Sequence, residues 1–206
     1  MGQPIPKKIL ESSNIEEKPI YTLLIDGNSL LEVAFNADTR YNTRSEHIGG
    51  IFQFLLQMKI LCSKRDFDFV YTFWDGDNSG QLRYNIYPEY KANRDGKSFS
   101  NESIKSDYYK NIDNFVKRVL EKRNREVAPE KLLKKEIFHR ERKVLQQYLE
   151  ELFVRQIMCD QIEGDDLIAY YCKHKKPNER IYIVSGDRDL TQLLDYDYVC
   201  MYIPVL

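Results

Sequence analysis

Seven carboxylates stand where strand-like runs end: Asp26, Asp75, Glu163, Asp165, Asp166, Asp187 and Asp189. The runs before them are Tyr21 to Ile25, Phe69 to Trp74 and Ile181 to Ser185, rich in the β-branched and aromatic residues that favour strands. In an open parallel sheet, functional groups gather at the carboxyl ends of the strands. Acids far apart in the chain therefore converge in space. Like charges a few ångströms apart do not all stay ionised unless cations neutralise them. Hard divalent ions that prefer oxygen ligands, Mg²⁺ or Mn²⁺, suit such a cluster. The chemistry this arrangement predicts is metal-dependent cleavage of a phosphodiester.

Each cluster alone admits a plainer reading. Asp26 precedes Gly27-Asn28-Ser29, a tight turn into a helix, where Asp is equally a turn former. Asp75-Gly76 carries the same two readings. A phosphatase nucleophile at Asp26 calls for a second acid two residues later, and Asn28 stands there instead. Glu163, Asp165 and Asp166 fall at a helix start, where they either complement the helix dipole or present oxygens to one ion from several sides. Asp187 and Asp189 sit two apart at another strand end; an N-cap accounts for one of them, not both. Taken together the clusters are far more specific than any one. Between Arg83 and Arg94, cations interleave with Tyr84, Tyr87 and Tyr90. That pattern offers charges for phosphates and rings for bases, or is a tyrosine-rich loop in a chain with 15 Tyr. His47, His139 and His174 are scattered and receive no catalytic role.

The elements that must position these residues follow from periodicity. Strands are expected at 20–25, 69–74, 153–158, 181–185 and 198–203. Helices are expected from Ser29 to about Asn36, over 47–63 and from Gly164 to His174, with a short one near Leu190. Two amphipathic stretches lie between the second and third strands. Ile104, Tyr108, Ile112, Phe115 and Val119 form one helical face, and Leu133, Ile137, Val144, Tyr148 and Leu152 form another. Pro129 beside Glu130 marks a fresh helix start. Strands alternating with helices predict an α/β fold with a mainly parallel sheet.

Length and charge narrow the class further. A chain of 206 residues with 42% hydrophobic content suits one large domain. The net charge of −1 hides an asymmetry: 11 Lys or Arg against 5 Glu from Lys117 to Lys143, and 11 acids against 6 Lys or Arg from Glu150 to Asp197. An acidic pocket beside a basic arm is what metal-assisted cutting of a polyanion requires; the same cations also read as a solvated helix face. Cys62, Cys159, Cys172 and Cys200 show no paired spacing; three of the four lie in apolar or amphipathic surroundings, so buried free thiols of a reducing compartment are expected rather than disulfides or zinc ligands. No apolar run approaches the length of a membrane span. Residues 1–18 read as a loose extension and not as a signal peptide. A cytoplasmic protein is expected.

The motifs Ile25-Asp26-Gly27-Asn28, Tyr87-Pro88-Glu89-Tyr90-Lys91-Ala92-Asn93-Arg94, Glu163-Gly164-Asp165-Asp166 and Ser185-Gly186-Asp187-Arg188-Asp189 occur in that order. In this the chain resembles the 5′ nucleases of the flap endonuclease and 5′–3′ exonuclease superfamily, bacteriophage members in particular. The resemblance runs from about Tyr21 to Leu194, interrupted around 100–150, and the second motif is its most specific part. It implies a PIN-like nuclease domain, residues 19–206, with a long helical arch over about 97–150. It also implies a two-metal site, Mg²⁺ or Mn²⁺, that cuts DNA at 5′ flaps or ends, or RNA–DNA hybrids, during replication, with a replication protein as a possible partner. Asp26, Asp75, Glu163, Asp165, Asp166, Asp187 and Asp189 match the family's acidic ligands. Lys91 and Arg94 match cations at the foot of the arch that contact the scissile phosphate, Tyr90 a neighbouring aromatic and Arg83 an upstream basic residue. Catalytic roles are thereby implied for Asp26, Asp75, Lys91 and Arg94, and substrate contacts for Arg83, Tyr90, Lys91 and Arg94. Two departures stand out: the arch region is longer than in compact phage enzymes, and the family's helix–three-turn–helix with its later aspartates is expected to be absent. That absence favours a rival, a non-catalytic binding module on the same fold; retention of all seven acids opposes it. A Toprim-type site also pairs Glu with Asp-x-Asp, but leaves Asp26, Asp75 and the Tyr-Lys-Arg segment unexplained.

Overall fold

Leu23, Leu24 and Ile25 are all buried, Leu23 and Ile25 against one face and Leu24 against the other. A strand apolar on both sides belongs at the centre of a sheet covered by helices. A computed structural model of the chain, which describes residues 18–79, 83, 86 and 129–204, places it there. Strand β1 (Ile20–Asp26) is flanked by β2 (Phe69–Asp75) and β4 (Glu179–Val184), with β3 (Arg155–Cys159) and β5 (Val199–Tyr202) outside them. The order β3-β2-β1-β4-β5 is parallel throughout. The expected fold class is the observed one. Because the chain passes from β1 outward to β2 and β3 and then returns to β4 on the other side, strand order reverses at β1. The crevice beyond the carboxyl ends of β1 and β4 is thus the switch point where α/β sheets place ligands.

Three helices cover one face: α1 (Gly27–Ala37), α2 (Gly49–Lys64) and α3 (Pro129–Glu151). Leu30, Leu31, Ala34, Ile51, Phe54, Met58, Leu145 and Leu149 pack there against Leu23, Ile25 and Trp74. The other face is covered by α4 (Gly164–Lys173) and a 3-10 helix (Arg188–Asp195). Ile168, Cys172, Leu190 and Leu193 meet Leu24, Phe73, Ile181 and Ile183. No helix among the described residues is long and apolar enough to cross a membrane.

Helix α3 corrects the expected packing face. Leu133, Tyr148 and Leu152 are exposed, while Leu145, Leu149 and Glu141 are buried, with Phe138 and Val144 packed against the same core. The stripe is rotated because a buried acid occupies its centre. Glu141 accepts a hydrogen bond at Oε2 from the Ile51 N–H (3.0 Å) and meets His47 Nδ1 through Oε1. Helix α2 needs that acceptor, since its N-cap Ile48 offers no side chain for its first turn. From Phe138 onward α3 is thus docked on the body. The expected first arch helix, and the extension at 1–17, lie outside the described residues. The cysteines also differ: all four are free, but Cys62, Cys159 and Cys200 are exposed and only Cys172 is buried.

The rotated stripe makes a stability prediction. Leu145→Ala is expected to cost about 2–5 kcal/mol, the range for a truncated core leucine. Leu133→Ala, at a position 58% exposed, is expected to stay within about 0.5 kcal/mol of wild type. Urea unfolding of both variants decides which face of α3 is core; equal losses would refute this packing.

Candidate metal centre

Asp26 ends β1 and caps α1. Its Oδ1 accepts from the Ser29 N–H (3.0 Å) and its Oδ2 from the Ser185 hydroxyl (2.7 Å). Turn former and site acid, the two readings of this residue, are therefore compatible: each oxygen keeps a lone pair beyond its one hydrogen bond. Ser185 also accepts from the Asp187 N–H (3.0 Å), and Ser29 Oγ accepts from the Gly186 N–H (2.9 Å). The ends of β1 and β4 are thereby stitched together. Asp187 caps the 3-10 helix, accepting from the Asp189 N–H (2.9 Å).

Asp75 ends β2, and its Oδ1 accepts from the Gly164 N–H (2.8 Å) at the start of α4. Glu163 is the N-cap residue yet makes no side-chain capping bond; an acid from another strand meets the helix end instead. Two glycines make these approaches possible. A Cβ on Gly27 would lie 2.6 Å from the Trp74 ring, and one on Gly76 only 1.8 Å from the Cys159 carbonyl oxygen. Each follows a strand-end aspartate and lets the chain turn hard against the neighbouring strand.

Glu163, Asp165 and Asp166 hold carboxylate oxygens within 4.8 Å of one another. The guanidinium of Arg83 lies among them, at 2.6 Å from Glu163, 2.8 Å from Asp165 and 2.5 Å from Asp166. Asp26, Asp75, Glu163, Asp165 and Asp187 line one cleft of about 450 Å³, together with Asn28, Ser29, Glu32 and Arg188. Of the seven acids expected, these five share the cleft wall. Asp166 stands on the Arg83 side, and Asp189 is exposed on the first turn of the 3-10 helix. Tyr90, Lys91 and Arg94 lie outside the described residues.

The electrostatics match the crowding. Burial, with Asp75 and Asp165 nearby, pushes the Asp26 carboxyl up from 3.8 to about 6 against the pull of its Ser29 and Ser185 hydrogen bonds. Burial also raises Asp165, and Arg83 opposes that rise. The donor set fits a hard divalent cation: carboxylate oxygens on several sides, plus Asn28 Oδ1, which is buried with no hydrogen-bond partner among the described residues.

Sequence reasoning missed four contributors. Ser185 and Ser29 act through their hydroxyls, Glu32 through the helical turn after Asn28, and Arg142 from α3. Arg142 Nη2 donates to the Asp75 carbonyl (2.9 Å) while its guanidinium lies 5.1 Å from the Trp74 ring centroid. Only the two serines carried a signal, Ser29 in Gly27-Asn28-Ser29 and Ser185 in Ser185-Gly186-Asp187.

Residues 21–205 match the family described as 5′-3′ exonuclease, N-terminal resolvase-like domain. The chain belongs to this 5′–3′ exonuclease family. No curated protein matches it. Among solved structures it is similar to bacteriophage T5 5′-exonuclease with bound divalent metal ions (zinc), at 19% identity and a TM-score of 0.60 over 89% of this chain. The T5 flap endonuclease, as a pseudo-enzyme–product complex with DNA and metal ions, gives 19% identity and a TM-score of 0.57, again over 89% of this chain. At this identity the likeness establishes the fold, the PIN-like 5′ nuclease fold of the T5 enzyme. The chain spans 55% of the first T5 structure and 54% of the second.

In this 5′–3′ exonuclease domain the buried Asp26 gives a pH prediction. Its carboxyl titrates near 3.8 when free and near 6 when folded and metal-free. The folded state thus holds an extra proton between those values, and stability falls as pH rises from about 4 to about 6. At 1.36 kcal/mol per pKa unit the loss is about 3 kcal/mol. In Asp26→Asn, Oδ1 still accepts from Ser29 and Nδ2 donates to Ser185, so that loss disappears. In metal-free buffer the variant's urea midpoint, set against wild type, is expected to rise between pH 4 and pH 8. A constant difference would mean that the ionised carboxylate is not penalised there.

Proposed function

We propose that this chain is the metal-binding, phosphodiester-cleaving part of a 5′ nuclease, acting on DNA at 5′ flaps or ends, or on RNA–DNA hybrids. Its cofactor is Mg²⁺ or Mn²⁺. The observation that carries the reading is the convergence of Asp26, Asp75, Glu163, Asp165 and Asp187 on one cleft. Support comes from membership of the 5′–3′ exonuclease family, and from T5 relatives with divalent metals and DNA. When bound, divalent ions supply the charge that stabilises the attacking and leaving oxygens of an in-line displacement.

The chain's own residues divide the remaining work. The acids hold the cations, with Asp26 and Asp75 oriented by Ser29, Ser185 and Gly164. Asp166 and Asp189 complete the proposed ligand set of seven. Lys91 and Arg94 stabilise charge on the phosphoryl group, Tyr90 offers a stacking surface, and Arg83 contacts the substrate backbone. Along α3 the exposed Lys134, Lys135, Arg140 and Lys143 form a positive strip. Its field is felt by His139, whose proton affinity is lowered by burial and by Lys135, Arg142 and Lys143. Such a strip suits a nucleic-acid backbone. With the segment from about residue 97 it forms the arch through which a 5′ end is held, in a cytoplasmic enzyme of replication, phage-encoded in this reading.

Two measurements test the proposal. Asp187→Asn is expected to abolish most cleavage of a 5′-flap DNA in Mg²⁺ while the melting curve stays cooperative; wild-type cleavage that survives exhaustive chelation would end the metal reading. Lys91→Ala is expected to slow the single-turnover rate by on the order of 10²-fold, the size of effect for a lost electrostatic stabiliser. Its affinity for the same DNA in Ca²⁺ is expected to change only a few-fold, because other cations still meet the backbone. Equal losses in binding and rate would assign Lys91 to binding alone.

A further inference from the structure

Arg83 is bonded as a metal ion would be. Its Nη1 lies 2.6 Å from Glu163 Oε2, and its Nη2 lies 2.8 Å from Asp165 Oδ1 and 2.5 Å from Asp166 Oδ1. Its Nε donates to Asp166 Oδ2 (2.9 Å), so Asp166 is held by a two-pronged fork. The three acids it touches are the same three whose ligand oxygens lie within 4.8 Å of one another. Hard divalent ions take carboxylate oxygens at about 2.0–2.6 Å, so an ion bound among these three acids would lie in the space that the guanidinium fills and against its positive charge. The two cations exclude one another.

We propose that Arg83 is a tethered counter-ion: it neutralises Glu163, Asp165 and Asp166 in the metal-free protein, and a divalent ion displaces it on binding. This rests on the metal reading above and extends it. A covalently attached cation solves the problem of folding around a self-repelling trio before any metal arrives. It also sets a cost on metal binding, because three ion pairs are broken as the new ligand bonds form. Arg83 leaves the carboxylates only when the metal is in place, and its donors are then available to a substrate phosphate. Metal loading and the presentation of Arg83 become one event.

The test is Mn²⁺ titration of the metal-free chain by calorimetry, without nucleic acid and at about 0.15 M salt to screen long-range effects. Arg83→Gln removes the competitor and is expected to bind Mn²⁺ on the order of 10-fold tighter, within the usual range of coupling between two ligands. Arg188→Gln is the control, since Arg188 lines the same cleft without an ion pair to the trio. Loss of its charge alone is expected to change Mn²⁺ affinity less than about 3-fold. Arg83→Lys, which keeps the charge but loses the fork, is expected to lie between wild type and Arg83→Gln. Melting provides a second readout: Arg83→Gln should melt lower than wild type without metal and gain more from Mn²⁺. Unchanged or weaker Mn²⁺ binding by Arg83→Gln overturns the exchange while leaving the metal site standing. Equal tightening in Arg83→Gln and Arg188→Gln also overturns it, in favour of general electrostatics. Absence of Mn²⁺ binding by wild type at millimolar concentration removes the functional reading and the exchange together.

Discussion

Two carboxylates 4 Å apart repel by about 4 kcal/mol at the effective dielectric of a protein surface, and here five share one cleft. The arrangement persists because the fold aims positive partial charge at that edge of the sheet. Helix α1, helix α4 and the 3-10 helix all begin there, and the N-terminus of each carries about half a positive charge. Asp26 takes an N–H from α1, Asp75 one from α4, and Asp187 one from the 3-10 helix. Asp165 takes the Asp166 N–H and an Arg83 donor. Each bond uses part of a carboxylate's hydrogen-bonding capacity and leaves the rest to the cleft. Three strand-to-helix turns at a single sheet edge thus follow from one electrostatic requirement.

The same edge is braced from behind by α3. Arg142 holds the Asp75 carbonyl, and Gln156 of β3 joins the Gln146 carbonyl to the Trp74 indole N–H. Glu141 reaches the first turn of α2. A helix whose exposed side carries the basic strip is therefore bonded, through its buried side, to the strand that bears Asp75. Side chains at cores and caps have few alternative rotamers, so a displacement of α3 is passed to the site rather than absorbed. The basic strip and the acid cluster are mechanically joined at this helix.

Much of this was legible in the sequence because strands buried on both faces announce themselves as continuous apolar runs, and an acid stands at the end of β1 and β2 and three residues past the end of β4. Observed strand and helix limits fall within a few residues of the expected ones, since Gly27, Gly76 and Gly164 punctuate them. What escaped was anything depending on a distant partner. The stripe of α3 was misplaced because Glu141 looks like a surface residue until α2 supplies an N–H and His47 a ring nitrogen. Arg142 looked like one more cation of a basic stretch. Cys62, Cys159 and Cys200 were expected inside from their apolar neighbours, yet one lies on an outward helix face and two on the outermost strands. Periodicity reports which side of an element is apolar, and not which side the rest of the chain covers.

The opposite signs of the cleft and of α3 impose an order on binding. A metal-free cleft lined by Asp26, Asp75, Glu163, Asp165 and Asp187 repels a phosphodiester, whatever the cations of α3 contribute. Attraction by Lys134, Lys135, Arg140 and Lys143 is long-ranged and screened by salt, with a reach of about 8 Å at physiological ionic strength. It can bring a strand to the protein and cannot seat a phosphate among carboxylates. Seating requires that the local charge change sign, and only added cations do that without moving the backbone. In the proposed function, nucleic acid on α3 and nucleic acid at the cleft would therefore be different states, the first governed by salt and the second by metal. A chain that binds DNA equally well with and without divalent ions would be using α3 alone.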